Sequence, residues 1–303
     1  MKTRPTFISP ILAAALGAVM TVNALATDGS DPTPFRAGYL HQFQTSLDDG
    51  GHVTKDTLYA QLLIGGQISE SFFAGLSAVY VYDNYDFDGT GGLAGLDPWD
   101  GIHSVRLAGA MRWRLNDSWT LFGLPTVRYQ GESGAEFEDS LAGGIIAGAS
   151  KRFSDRLSIG PGFGYLSQLE DDAEIFPILL VDWKITDCLT LKTGGGVGAS
   201  VGPGVALRWD INDCWFTTLE TRYERVRFRL DENGDSNGGI GDDLSYPVYL
   251  SLTHVANENF RVSVTTGVKF NSEMTLEDSS GDRISKTDTS DAFVAGFSLF
   301  YSF

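Results

Sequence analysis

The chain has 303 residues with 42% hydrophobic and 12% aromatic content, 36 glycines, two cysteines and a formal charge of −17. So acidic a balance excludes a nucleic-acid partner, since phosphate binding needs a cationic surface, and two cysteines are too few for a disulfide-stapled miniature. Past residue 26 no apolar run approaches the ~18 to 20 residues of a spanning helix, which excludes a helical membrane protein.

Residues 1–26 carry the pattern of a cleaved export signal: Lys2 and Arg4, an apolar stretch over residues 8–22, and Ala24, Leu25 and Ala26 before Thr27. Pro10 and Gly17 interrupt a stretch already short for a membrane anchor. Without this leader and its two cations, 20 Lys and Arg face 39 Asp and Glu, a charge of −19. Residues 27–33 form a short N-terminal segment, and alternation begins at residue 34.

From there, alternating apolar and polar residues predict strands near 34–46, 54–69, 72–84, 102–116, 119–130, 139–153, 157–168, 174–186, 189–198, 203–212, 215–230, 244–256, 260–275 and 292–303. The count is fourteen, favoured over twelve or sixteen. Longer acidic, Gly-rich connections are expected near 47–53, 85–101, 131–138, 169–173, 199–202, 231–243 and 276–291. Between them lies a repeated turn. An acid follows Ser, Thr or Asn at Glu70, Asp117, Asp155, Asp187, Asp213 and Glu258, and a large apolar residue comes two places later at Phe72, Trp119, Leu157, Leu189, Trp215 and Phe260. Short polar side chains bond nearby backbone N–H groups, so six tight hairpins are expected, each followed by an apolar residue at one height.

The alternation assigns faces. In the fourth strand Val105, Leu107, Gly109, Met111, Trp113 and Leu115 oppose Arg106, Ala108, Ala110, Arg112 and Arg114. The second face of the strands collects Arg106, Arg112, Arg114, Arg128, Lys184, Lys192, Arg208, Arg222, Arg261 and Lys269 against Asp182, Asp210, Glu220 and Glu224. Inside a barrel this set would line a cation-rich lumen favouring anions, or Arg222 with Glu220 and Glu224, and Arg208 with Asp210, would neutralise one another and fill it. A soluble sandwich would turn the apolar face into a core instead, and periodicity alone does not separate the two.

Pro125 and Pro161 fall inside strands and mark a bulge or bend, while Gly194 to Gly196, Gly198, Gly202 and Gly204 thin one hairpin. Cys188 and Cys214 occupy matching places in two successive turns. An oxidising compartment allows a disulfide there, but two strand spacings separate them by ~10 Å, past the usual reach of about 7 Å. Asp231, Asn233, Asp235 and Asn237 are spaced as in a calcium loop, but Ser236 stands where Gly is needed and Asp242 where Glu is needed, so a solvated tip and no metal is expected. The histidines, His41, His52, His103 and His254, join no recognisable catalytic set; His103 and Ser104 are adjacent and point to opposite faces.

The last eleven residues, FVAGFSLFYSF, place Phe293, Ala295, Phe297, Leu299, Tyr301 and Phe303 on one face. This ending resembles the C-terminal assembly signal of bacterial outer-membrane β-barrels, with Gly296, Leu299, Tyr301 and Phe303 at its characteristic places. The resemblance covers the chain after the leader. It implies an all-β, closed antiparallel transmembrane barrel over residues 34–303, with short periplasmic turns and longer external loops. It also implies outer-membrane lipid, lipopolysaccharide, the barrel assembly machinery and small solutes as partners, in a monomer without cofactor or enzymatic activity. Long-chain fatty-acid transporters of equal strand number carry an N-terminal plug, for which residues 27–33 leave no room. The expected function is a passive channel for small polar or anionic solutes. The alternatives are a non-conducting barrel for envelope integrity or surface interaction, a hydrophobic-solute transporter and an outer-membrane hydrolase.

Overall fold

The computed structural model describes residues 33–193, 204–234 and 236–303. The expected leader, Asp235 and the glycines at 194–196, 198 and 202 lie outside them. Strands β1 (Pro34–Ser46), β2 (His52–Ser69), β3 (Phe72–Asp88), β4 (Gly101–Arg114), β5 (Trp119–Glu132), β6 (Leu141–Ser154), β7 (Leu157–Gln168) and β8 (Asp171–Lys184) form an antiparallel meander. It continues through β9 (Leu189–Thr193), β10 (Gly204–Asn212) and β11 (Trp215–Arg222), then β13 (Ile240–Val255), β14 (Phe260–Glu277) and β16 (Ala292–Ser302). β16 pairs with β1 from Pro34 opposite Ser302 to Gln42 opposite Val294, closing a fourteen-stranded barrel. Closure leaves neither β1 nor β16 with a free edge, which is why so apolar a terminal strand is tolerated.

The turn chemistry expected from the repeat is present at five of the six turns, all but the one at Ser69 and Glu70. Asn116, Asn212 and Asn257 each accept two backbone N–H bonds at 2.9–3.0 Å through the side-chain oxygen. The Ser154 and Thr186 hydroxyls accept one each. Trp113, Trp119, Trp183, Trp209, Trp215 and Phe303 are exposed near this short-turn end, as an interfacial girdle requires. Between the ends, Leu58, Leu76, Leu107, Val127, Leu179, Leu219, Leu252, Val264 and Phe297 are exposed on the outer face, so the apolar face is outward and the sandwich reading fails.

Three expectations need correction. The predicted strand at 215–230 divides at Tyr223, and its second part, β12 (Glu224–Arg229), leaves the wall. The predicted connection at 276–291 contains a further strand, β15 (Arg283–Asp288), which extends the β14 hairpin beyond the barrel. Pro125 and Pro161 make no bulge. β4 and β5 hold one register from Ala108 opposite Thr126 to Met111 opposite Gly123, and β6 and β7 hold theirs from Gly148 opposite Gly162 to Lys151 opposite Ile159. Each proline only drops ladder bonds to one neighbour. Gly109 provides the space, since a Cβ there would lie 3.2 Å from the Pro125 ring. Cys188 and Cys214 are free and exposed.

Candidate functional site

The inward positions build a lumen of three layers. At the loop end, β12 continues beside β13 in the register of β11, from Glu224 opposite Ser245 to Arg229 opposite Ile240. It leans over the mouth until Arg229 meets Gly131 of β5 on the far wall. Phe228, which is 0% exposed, packs edge-on to Trp99 (centroids 5.3 Å apart) and beside Tyr85 (6.2 Å). Trp99 and Leu93 come from the β3–β4 connection, which folds inward and is tied to Asp49 by a 2.7 Å bond from the Leu93 N–H. With Leu47, Val53, Ile102, Leu230, Met274 and Leu276 these side chains form one buried apolar cap.

Ion pairs hold the cap in place. Arg225 reaches Asp242 (2.6 Å), Glu174 (3.0 Å) and Asp171 (3.4 Å); Arg227 donates to the Leu169 carbonyl (2.5 Å) and pairs with Glu277; Arg229 pairs with Glu170 (2.6 Å). Burial works to lower the Arg225 pKa, but the bond and charge of Asp242 outweigh it and raise the pKa above the ordinary arginine value. These arginines alternate with Val226, Phe228 and Leu230, so β12 puts one row into apolar packing and the other onto carboxylates.

Beneath the cap lies a chamber of about 90 Å³, lined by Lys55, Asp83, Arg106, Arg128, Arg222, Glu224, Lys269 and Tyr249 among others. Lys55 is 5% exposed and satisfied three ways: Asp243 at 3.0 Å, Asp83 at 3.5 Å and the Tyr85 hydroxyl at 2.7 Å. Arg222 pairs with Glu224 (2.5 Å) and Glu220 (3.7 Å), and Lys269 lies 3.5 Å from Glu224. Arg106 and Arg128 differ. They stand directly opposite each other on β4 and β5, and Arg128 donates to the Ser167 carbonyl at 2.9 Å.

Toward the short turns the walls diverge in character. From β2 to β8 the inner face carries Leu63, Phe122, Leu124, Ile146, Leu166, Phe176, Ile178 and Leu180, each under one-tenth exposed and packed over one another. The opposite wall has a hydroxyl ladder, Ser251 to Thr265 and Thr253 to Ser263, both 2.8 Å. At the turn end a second cleft is lined by Arg152, Arg156, Lys184, Lys192 and Arg208 with Asp155, Asp182 and Asp210. There Lys192 pairs with Asp182 (2.9 Å) and Arg208 with Asp210 (2.6 Å).

The fourteen residues expected on the inward face therefore separate, with Asp182 and Asp210 at the turn-end cleft. Arg106, Arg128, Glu220, Arg222, Glu224 and Lys269 meet at the chamber, while Lys184, Lys192 and Arg208 belong to the turn-end cleft. Arg112 lies over the Phe73 ring (5.5 Å) and Arg261 over Phe300 (4.9 Å), and Arg114 ends β4 with its backbone N–H on Ser71. Sequence reasoning missed Lys55, Asp83 and Asp243, one cation and two acids that pair with one another across the lumen. The parity of β2 carried that signal, because outward Leu58 and Ile64 place Lys55 on the inner face. On the outer surface His103 meets Ser133 (3.0 Å) and Tyr80 (2.8 Å), and among the described residues no carboxylate bonds to it.

No protein-family model and no curated protein matches the sequence. Solved structures resemble it in fold. An outer-membrane channel from Pseudomonas putida F1 superposes with a TM-score of 0.52 at 9% identity, covering 91% of this chain and 100% of that one. A FadL homologue from Pseudomonas aeruginosa gives 0.54 at 13% identity, covering 90% and 91%. Closed wall, outward apolar band, short-turn girdle and these superpositions agree: the chain has the closed antiparallel fold of outer-membrane β-barrels.

Proposed function

We propose that the protein is a gated passive channel of the outer membrane for small polar or anionic solutes, working as an exported monomer. The observation that carries this reading is the charged chamber of about 90 Å³ inside the barrel wall, roofed by β12 and the β3–β4 connection, neither of which is part of that wall. A barrel with only a structural role needs no such chamber, whereas a path through the lumen needs polar groups that replace the hydration of a solute. The turn-end cleft, with five cations against three acids, would draw anions toward the lumen from the periplasmic side. The Pseudomonas putida protein of the same fold is an outer-membrane channel, which agrees with this reading.

One observation favours the second reading, a non-conducting barrel serving the envelope or its surface: the apolar cap and the packed apolar wall both narrow the lumen. Planar-bilayer recording separates them. The refolded chain after residue 26, in a salt gradient, is expected to show rare openings with anion preference, and a Phe228→Ser chain frequent ones. A folded, inserted chain that stays silent in both forms would overturn the channel.

A further inference from the structure

We propose that Arg106 and Arg128 form a binding site for the carboxylate of a small organic acid whose apolar body lies against Val79, Val81 and Val226. The inference rests on the chamber being part of a solute path, and it names the chemistry which that path would select.

Cross-strand neighbours in direct register have Cβ atoms about 4.5–5.5 Å apart, and like charges so placed repel. Arg106 and Arg128 are such a pair. The other cations around the chamber meet carboxylates: Lys55 has Asp83 and Asp243, Arg222 has Glu220 and Glu224, Lys269 has Glu224, and Arg225 has Asp242. No carboxylate among the described residues bonds to Arg106 or Arg128. The acids that could serve are engaged, Glu174 by Arg225 at 3.0 Å and Glu224 by Arg222 at 2.5 Å. Arg128 is 7% exposed, lines the chamber, and its Nε–H has no partner among the described residues.

Arg128 keeps one bond to the Ser167 carbonyl, but a guanidinium group held in such a chamber without a counter-charge is costly to keep, and two side by side more so. A carboxylate between them would neutralise one charge and accept charge-assisted bonds in the fork geometry that arginine offers. The surroundings select the rest of the ligand. Val79 pairs directly with Arg106 across β3 and β4, Val81 follows two places along, and Val226 of β12 lines the same space from the cap. This apolar floor and roof suit a compact hydrocarbon body, whereas an inorganic oxyanion bound to the same guanidinium groups would leave Val79, Val81 and Val226 without an apolar contact.

The test is calorimetric titration of the full chain after residue 26, refolded in detergent, with benzoate, its neutral isostere benzamide and inorganic phosphate. Benzoate is expected to bind at least tenfold more tightly than either comparator, and Arg106→Gln or Arg128→Gln to weaken it at least tenfold. Relieving the like-charge contact should also make each ligand-free variant unfold at a higher temperature than the parent, an effect opposite in sign to loss of a structural arginine. Absent benzoate binding, or binding untouched by both substitutions, overturns the site. Phosphate binding as tightly as benzoate overturns the organic body. Because calorimetry needs no conduction, benzoate binding to a silent barrel would keep the site and sink the channel, and conduction without benzoate binding would do the reverse.

Discussion

Phe228→Ala is the most informative perturbation of the cap. Phe228 is fully buried among Tyr85, Trp99 and Val226, on a strand that is no part of the fourteen-stranded wall. Truncating a buried Phe to Ala costs about 3–5 kcal/mol, the upper part only where neighbours fail to collapse into the space. In the proposed gating the side chain is packed when the cap is closed and would lose those contacts on an outward swing of β12, so the cost falls on the closed state. At ~1.4 kcal/mol per factor of ten, even the lower figure raises the open-to-closed ratio by about two orders of magnitude. Single-channel recording reads that ratio as open probability. Phe293→Ala is the control, since Phe293 is 65% exposed on the outer face and touches no part of the cap. The barrel should keep its heat-modifiable gel migration in both variants. An open probability unchanged in Phe228→Ala, with the barrel folded, would refute the cap as the gate.

Other outcomes follow from single contacts. Lys55→Met leaves Asp83 and Asp243 buried without their shared cation; breaking such an arrangement costs about 3–5 kcal/mol, so urea unfolding in lipid vesicles should shift accordingly, and a loss below about 1 kcal/mol would show the pair to be dispensable. Gly296 sits where a Cβ would lie 2.1 Å from the Tyr39 carbonyl oxygen, so Gly296→Val should part the β1–β16 seam and abolish heat-modifiable migration; a normally folded variant would contradict that packing. Cys188 and Cys214 are exposed at short turns; a membrane-impermeant maleimide should label them only after the outer membrane is opened, and labelling of intact cells would reverse the orientation.

Much of the wall was legible in sequence because its determinants are local. A period of two settles which side chains share a face, and Asn116, Asn212 and Asn257 close their turns with atoms two and three residues away. That is why β1, β7 and β16 came out within a residue of their predicted bounds. β12 did not, because alternation in residues 224–230 is the same whether the strand stays in the wall or leaves it. Only contact with Trp99, Ile102 and Gly131, all more than 90 residues away, decides that it crosses the lumen.

The charges divide along the same line. Sequence alone determined that the chain alternates, that one face of its strands holds many arginines and lysines, and that its final strand carries an unbroken apolar face. Which cations remain without a counter-charge was decided by tertiary structure, since Lys55 finds Asp243 across 188 residues and Arg225 finds Glu174 across 51. Parity fixes the face of a strand, but neutralisation depends on which heights of distant strands meet, and that is set by register and closure around the whole barrel.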